Sequence, residues 1–399
     1  MDELDALRQM RTALAEEEHP DRIALRTNWR AGTRERPRRG FRVQLGGFRI
    51  PLVSMVATAA VVTSAVAVVT LRSDPEPAPQ NGNVLLVAAT NAQKAPIGKY
   101  WHVKKRSGEI KAVGKKASTH YRVDSRQGGE IWAERNGKAI QAHREFADVP
   151  VTAEDKRRWQ AAGSPEKPRI PDPDDANDYV MLDMTPRGSQ TPPAWYPSDD
   201  RYFGLTAAQI AKLPTEPRAL EEALLNLEGV WRAVATSNKP EPLRALHGQD
   251  RVRALSDVTV TLLSTAPAPP AVRAAVFRML AAQPGVKAEG KVTDPIGRTG
   301  TAVSLPLETT MPLGLYTAPK QLATYRRQMI IDPDAGTLLA IRHLVDKPPR
   351  GRKKLPSGDL GQTRWLKAEN MPDRFHRPGE LASYEVYEVT EWTNAEPQR

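Results

Sequence analysis

The chain has 399 residues, a formal net charge of +11 at neutral pH and no cysteine. This length is enough for two ordinary domains, each with its own hydrophobic core. The absence of cysteine excludes disulfide bonds, thiol catalysis and thiolate metal sites.

Residues 1–49 are predicted to form a cytoplasmic tail that begins with a short helix. Asp2 is a suitable N-cap and Pro20 ends the helical pattern. The apolar side chains of this helix share one side and have no core to pack into within a charged tail. We therefore expect them to contact a partner protein or the membrane surface, the alternative being a frayed helix without a partner. They are Leu4, Leu7, Met10 and Leu14.

Residues 50–71 form an uncharged run of 22 residues between Arg49 and Arg72. As a helix they would extend about 33 Å, enough to cross a hydrocarbon core of about 30 Å. A buried soluble helix is rarely uncharged on every face, and the 49 preceding residues are too many for the basic region of a signal peptide. The sequence therefore predicts one transmembrane helix.

The charges on either side of this run predict its orientation. Positions 30–49 hold seven arginines against one acidic residue, whereas Asp74 and Glu76 follow the run. Because basic loops stay in the cytoplasm, we expect a cytoplasmic N-terminus, a Pro-rich linker at 72–83 and an extracytoplasmic domain at 84–399. The arginines closest to the membrane are expected to contact lipid head groups rather than nucleic acid, and they are Arg38, Arg39, Arg42 and Arg49.

The first half of the outer domain is predicted to be a helix followed by antiparallel strands. A helical pattern at 84–95 precedes strand patterns at 100–106, 119–124, 130–135 and 138–144. Asn136-Gly137 is a strong hairpin signal, and Gln127-Gly128-Gly129 is predicted to form the preceding turn. Residues 164–200, rich in Pro and Asp, are predicted to be an exposed connector. A calcium-binding loop is not expected there, because Asn177 occupies the position at which such a loop needs glycine.

The second half combines helices with further strands. Helices are predicted at 206–213, 217–235 and 271–282, and strands at 286–293, 301–305, 328–331, 337–344 and 381–392. Loops at 294–300 and 332–336 contain the Pro and Gly residues typical of turns between paired strands. The predicted fold class is α+β, with an antiparallel β-sheet packed by helices.

The usual catalytic motifs are absent, and no pair of histidines has the spacing of a helical metal site. His102, His120 and His143 lie on neighbouring predicted strands, so a cluster is conceivable, although ordinary surface histidines are the simpler interpretation. We therefore expect no enzyme activity, no cofactor and no catalytic or metal-binding residue.

Aromatic residues are concentrated in or near the predicted strands. Core packing is the default interpretation, but a concave sheet lined by aromatic side chains could also bind a lipid or a lipopeptide. The excess of basic residues after position 72 favours anionic envelope components such as phospholipid head groups or wall polyanions. The aromatic residues are Tyr100, Trp101, Tyr121, Trp132, Trp365, Tyr384, Tyr387 and Trp392.

The chain resembles a family of actinobacterial single-pass membrane proteins that are often encoded beside extracytoplasmic-function sigma factors. The resemblance rests on MDELDALRQMR at the N-terminus, the apolar run at 50–71, and the segments at 271–300 and 326–344. It implies an anti-sigma-like regulator whose tail contacts a sigma factor. The tail lacks the HxxxCxxC zinc motif of the best-known anti-sigma proteins. The helix followed by aromatic-rich strands also resembles carriers and sensors of the LolA and RseB type.

Two hypotheses follow. In the first, the outer domain binds an envelope ligand and the tail binds a cytoplasmic partner, so the protein senses the envelope and signals inward. In the second, the protein is an envelope carrier or scaffold and the tail is only an anchor. The apolar side of the first helix distinguishes them, because only a regulator needs it.

Overall fold

The structure, a computed structural model, describes residues 81–397 except 136, 173–177, 186–194, 199–200, 230, 232–239, 310–321 and 356–363. Within these residues ten strands form one antiparallel sheet against which helices pack, so the predicted α+β class is confirmed. The predicted tail helix, the arginine-rich segment and the apolar run at 50–71 lie outside the described residues. None of the described helices combines the length and the apolar character needed to cross a membrane.

The strands of the large sheet come from both ends of the described chain. In chain order the described strands are β1 (Tyr100–Val113), β2 (Tyr121–Glu134), β3 (Ala139–Glu145), β4 (Val149–Pro150), β5 (Arg169–Pro171), β6 (Tyr179–Met181), β7 (Trp195–Pro197), β8 (Arg201–Tyr202), β9 (Leu205–Thr206), β10 (Glu228–Gly229), β11 (Glu241–Pro242), β12 (Lys287–Thr293), β13 (Thr299–Thr309), β14 (Thr324–Asp332), β15 (Thr337–Lys347), β16 (Arg352–Leu355), β17 (Arg364–Lys367) and β18 (Leu381–Thr393). The order in the large sheet is β12-β13-β14-β15-β18-β1-β2-β3-β7, with β4 paired to β2. The remaining described strands form four short hairpins, β5–β6, β8–β9, β10–β11 and β16–β17.

Two of the helices begin at residues well suited to that position. Thr152 and Asp155 form a reciprocal capping box at the start of the helix at Ala153–Ala161, and Pro217 occupies the first turn of the helix at Pro217–Leu225. Two short 3₁₀ helices cover Leu243–Ala245 and Ala368–Asn370. The α-helices are α1 (Asn81–Lys94), α2 (Ala153–Ala161), α3 (Ala207–Ile210), α4 (Pro217–Leu225), α5 (Gly248–Leu263) and α6 (Pro270–Ala282).

One face of the sheet, here called the inner face, is covered by α1, α4, α5 and α6. Met329, Ile341 and Tyr387 from the strands share one hydrophobic cluster with helical residues such as Leu85 and Phe277. All five side chains are almost completely buried. Since burying a side chain of this size stabilises the fold by about 1.5–3 kcal/mol, the helix–sheet interface forms the main core.

The opposite face, here called the outer face, follows from the alternation of side chains along each strand. Its apolar residues on β14, β15 and β18 form a cluster to which no described helix contributes. Continuing across the sheet, the same row of paired positions becomes basic on β1 and β3. In sheet order the row contains Ile330, Ala340, Val386, Arg106, Gly128 and Arg144.

The turn between β14 and β15 connects the sheet to α1. Asp332 accepts hydrogen bonds from the backbone N–H groups of Asp334 and Ala335, and Gly336 has a φ of 65°. Asn91 of α1 donates to the carbonyl oxygen of Pro333 at 3.0 Å. The turn predicted at 332–336 is therefore confirmed, and it packs directly on a helix.

The loop between β12 and β13 forms hydrogen bonds to the sheet at two irregular positions. Arg298 pairs with Asp294 at 2.7 Å and donates to the carbonyl oxygens of Tyr387 at 2.8 Å and Leu339 at 2.9 Å. Both carbonyls lie beside register shifts of β18 and β15, where the regular ladder is interrupted. The hairpin predicted around 294–300 is confirmed, and its arginine replaces the missing ladder bonds.

Several predicted elements are confirmed close to their expected positions. The helix expected at 84–95 is α1, and the strand expected at 381–392 is β18. β2 and β3 pair as a hairpin, in which Gly137 has a φ of 99° and donates its N–H to the carbonyl oxygen of Glu134. Asn136 lies outside the described residues.

The turn expected at Gln127-Gly128-Gly129 is wrong. The strands expected at 119–124 and 130–135 are one continuous strand, β2, with both glycines inside it. Neither glycine has the positive φ that a tight turn would need. Gly128 instead leaves space for a neighbouring ring, as described below.

The expected exposure of the connector at 164–200 is also wrong for part of its length. Four apolar side chains of this segment are buried against Val113, Tyr121 and Val123 at the ends of β1 and β2. The prolines permit short extended pieces, and β5 and β6 pair with each other. The buried residues are Ile170, Val180, Leu182 and Met184.

Some of the helical predictions differ from the structure. The helix expected at 217–235 ends at Leu225, where Asn226 is the C-cap and the Glu-Gly pair at 228–229 is extended. Neither α2 nor α5 is predicted. The sequence DVTVTLL in α5 contains β-branched residues that disfavour a helix locally, and burial in the core overrides this preference.

Candidate functional site

The centre of the outer face has two glycines in neighbouring strands where large side chains would otherwise stand. At Gly128 an added Cβ would lie 2.6 Å from Cε2 of Phe146, and at Gly108 it would overlap the ring of Tyr384. The two aromatic rings can therefore lie close to the sheet. Phe146 thereby becomes the floor of this part of the outer face.

Two arginines stack on Phe146 and a third lies beside them on the same face; together they are here called the arginine cluster: Arg106, Arg126 and Arg144. Arg106 and Arg144 stand on either side of Gly128 in the sheet register, and Arg126 lies two residues before it on the same face. The guanidinium carbons of Arg106 and Arg126 lie 4.7 Å and 5.9 Å from the centre of the Phe146 ring. Stacking on an aromatic ring orients a guanidinium while its edges stay free to bind.

Each arginine of the cluster uses only part of its hydrogen-bonding capacity. A terminal nitrogen of Arg106 lies 2.7 Å from Glu388, that of Arg126 donates to the carbonyl oxygen of Ala147 at 2.8 Å, and that of Arg144 lies 3.6 Å from Glu130. The Nε–H groups of all three arginines are buried and have no acceptor among the described residues. A buried donor without an acceptor is costly, so an acceptor group that reaches these N–H groups is favoured.

The acidic neighbours of the cluster are shared with other groups. Glu130 lies 3.0 Å from His102 and accepts a hydrogen bond from the indole of Trp132, and the His102 ring stacks on Trp132 at 3.8 Å. Burial lowers the pKa of His102, although Glu130 opposes this shift. Glu388 is similarly shared between Arg106 and Lys104.

Asp124 gives the site a group that titrates near pH 6. One of its carboxylate oxygens accepts a hydrogen bond from the Tyr384 hydroxyl at 2.9 Å, and the other has no hydrogen-bond donor among the residues that the structure describes. Burial raises the pKa of Asp124 to about 6, against the opposing effects of Tyr384 and Arg126. Protonation of Asp124 therefore removes a negative charge from beside the arginine cluster.

The residues predicted to form sites are placed as follows. The partner-binding residues Leu4, Leu7, Met10 and Leu14 and the membrane-flanking arginines 38, 39, 42 and 49 lie outside the described residues. Among the aromatics, Trp101 and Trp392 are buried on the inner face, whereas Tyr100 packs edge-on against Trp132 on the outer face. In the described part of the chain, no three His, Asp or Glu side chains are arranged to hold a metal ion.

The arginine cluster is not among the sites predicted from the sequence. The available signal was the alternation of basic residues in β1 and β2, which places Lys104 and Arg106, and Arg122 and Arg126, on the same faces of their strands. The prediction of a turn at Gly128 concealed this signal, because it divided β2 at the point where the site forms.

Comparison of the chain with protein-family models, with curated proteins and with solved structures finds no match.

Proposed function

We propose that this chain is a membrane-anchored, envelope-sensing protein whose outer domain binds an anionic envelope component at the arginine cluster. The observation that carries the proposal is the set of three buried Nε–H groups without acceptors around Phe146. The basic residues before 50–71 support an extracytoplasmic position for this domain. The resemblance to proteins encoded beside sigma factors supports a signalling role for the tail.

Phosphodiester groups are the ligand chemistry that suits the cluster best. A guanidinium presents a planar fork of N–H groups that matches the oxygens of a phosphate. Neighbouring strands lie about 4.8 Å apart, so guanidinium groups on β1, β2 and β3 can contact one phosphate or two adjacent ones. Phospholipid head groups and glycerol phosphate polymers of the wall share this chemistry.

The cytoplasmic half of the proposal rests on the tail. The side of the first helix formed by Leu4, Leu7, Met10 and Leu14 would contact a sigma factor or another cytoplasmic protein, and ligand binding outside would change that contact. In the rival function, a carrier or scaffold, the outer domain binds the same ligand but the tail has no protein partner.

Replacing the three arginines of the cluster by glutamine tests the ligand site. The matched control replaces Arg157, Arg244 and Arg278 instead, which removes the same charge from exposed or partly exposed positions on helices. Full-length protein in neutral nanodiscs would be titrated with a glycerol phosphate polymer and, separately, with phosphatidylglycerol vesicles. We expect about tenfold or greater loss of affinity in the cluster variant alone, and weaker binding of every form at high salt.

The same titration at different pH values tests the part played by Asp124. Because its pKa is about 6, anion affinity should rise as the pH falls from 7 to 5 in the wild type. Asp124→Asn should bind tightly at both pH values.

For the arginine variants, equal losses of affinity in the cluster variant and the charge-matched control would overturn the assigned site. Preference for one of the two probes would identify the source of the phosphodiester.

A further inference from the structure

Arg273, in the first turn of α6, is a buried arginine on the inner face with no anionic partner in the part of the chain that the structure describes. Its side chain is 2% exposed, and both Nε and Nη2 are buried without an acceptor from these residues. These two nitrogens lie on one edge of the planar guanidinium, so their N–H groups point in the same direction. Among the described residues no carboxylate offsets the burial, which lowers the pKa of Arg273 to about 10 and leaves it charged at neutral pH.

Two tryptophans and a short loop surround this position. The guanidinium carbon of Arg273 lies 5.0 Å from the ring centre of Trp101, and the Trp101 and Trp392 rings are 5.5 Å apart. The indole N–H of Trp101 donates to the carbonyl oxygen of Ser264 at 3.0 Å, and that of Trp392 donates to that of Ala268 at 3.2 Å. The loop between α5 and α6 is thus attached to both rings.

The start of α6 lies beside the same loop and is also suited to an anion. Pro269 is its N-cap and provides no side chain to cap the first-turn N–H groups. Side chains in a helix lean towards its N-terminus, so the Arg273 guanidinium and the positive end of the helix dipole converge near Trp101. A helix N-terminus and an unpaired arginine together form an anion site.

We propose that this position binds the carboxylate of a small organic acid, whose two oxygens accept from Nε and Nη2 of Arg273 while its apolar part contacts Trp101. A carboxylate suits the site better than phosphate, because one guanidinium neutralises one charge and the rest of the surroundings are apolar. Both nitrogens are shielded from solvent, so the loop at 264–269 has to lift from the tryptophans to admit the ligand.

A shallow cavity lies at the end of the sheet where β1 begins and β18 ends. It has a volume of about 470 Å³ and is lined by Ile97, Gly98, Lys99, Glu134, Arg135 and Asn394. Lys99 precedes Trp101 by two residues and Asn394 follows Trp392 by two, so the cavity opens at the same end of the sheet as the two tryptophans. Lys99 and Arg135 are balanced there by Glu134 and by Glu396, which lies 3.7 Å from Lys99, so position rather than charge makes this end the proposed side of entry.

The test compares phenylacetate with phenylacetamide, its uncharged analogue, and with inorganic phosphate. Thermal unfolding and calorimetric titration would be measured on the full-length protein in nanodiscs. We expect phenylacetate alone to raise the melting temperature and to change the tryptophan emission as the loop moves. Arg273→Met should abolish this binding, and Arg273→Lys should weaken it about tenfold or more because lysine lacks the fork.

Arg278→Met is the control, since Arg278 lies on the same helix and donates to Gln93 instead. It should bind phenylacetate like the wild type. Binding that survives Arg273→Met, equal effects of the acid and its amide, or no effect of phenylacetate on the wild type would each overturn the proposal. If phosphate bound as well as phenylacetate, the assignment to a carboxylate would be wrong. The comparison of acid and amide needs no variant, so it decides the question even if Arg273→Met fails to fold.

Discussion

Gly128 and Gly129 are consecutive glycines in β2 with different surroundings. At Gly128 a Cβ would lie 2.6 Å from the ring of Phe146, whereas at Gly129 the nearest atom would be the carbonyl oxygen of Ala142 at 3.6 Å. The first distance requires the ring to move, and the second is an ordinary contact. Gly128 is thus needed for Phe146 to form the floor beneath the arginine cluster.

Gly128→Ala should therefore lower the free energy of unfolding by about 1–3 kcal/mol, the usual effect of overpacking, and should weaken anion binding by displacing Phe146. Gly129→Ala is the matched control. It should be neutral or slightly stabilising, because alanine restricts the unfolded chain. Chemical denaturation of both variants, followed by titration with a glycerol phosphate polymer, provides the measurement. Similar effects of the two substitutions would contradict the role assigned to Phe146.

At the level of elements, the sequence predicted the turns whose conformation is set by their own residues. The turns at 332–336 and 294–298 and the hairpin at Gly137 contain residues that preset their backbone angles, and all three are confirmed. Other features depend on partners distant in sequence. β2 continues through two glycines because Phe146 fills the space, and Ile170 is buried because the ends of β1 and β2 present apolar residues to it.

The arginine cluster could be predicted only in part for the same reason. Alternation alone places Lys104 and Arg106 on one face of β1, but their proximity to Arg144 depends on the pairing of three strands. The unpaired Nε–Nη2 edge of Arg273 depends on how α6 packs against Trp101, which lies far earlier in the chain. Neither arrangement has a sequence motif.

The contact between α1 and the β14–β15 turn can be tested with two turn glycines. Gly336 and Gly297 both have positive φ, 65° and 92°. A Cβ at Gly336 would lie 2.7 Å from the carbonyl oxygen of Ala88 and closer still to the backbone nitrogen of Ala92, whereas Gly297 has nothing within 4 Å. Gly297→Ala should cost about 1 kcal/mol, the backbone strain alone. Gly336→Ala should cost several times more, and equal melting temperatures for the two variants would show that α1 does not pack on this turn.

At the scale of the whole molecule, the envelope-sensing proposal needs two ends that respond to each other. The outer end has the arginine cluster, whose buried Nε–H groups have no acceptor among the described residues and form the proposed ligand site. The inner end has the apolar side of the predicted tail helix. A single helix at 50–71 would connect the two, so a signal has to pass through its position, tilt or association with another copy. A carrier or scaffold needs no such connection.

Substitutions in the tail distinguish these alternatives. Leu7→Asp together with Leu14→Asp should weaken a complex with a cytoplasmic partner by several kcal/mol, because each leucine buried at an interface contributes about 1.5–3 kcal/mol. Membrane insertion should be unchanged, since residues 50–71 and the arginines before them remain, and protease added to spheroplasts should still digest only the outer domain.

The measurement is transcription of genes controlled by a neighbouring sigma factor at constant protein abundance. The matched control replaces Gln9 and Thr12 by aspartate, which adds the same two charges to the opposite side of the helix and leaves its apolar side intact. A change in transcription specific to the leucine variant would support signalling. Unchanged transcription with intact ligand binding would instead favour the scaffold, because the tail would then act only as an anchor.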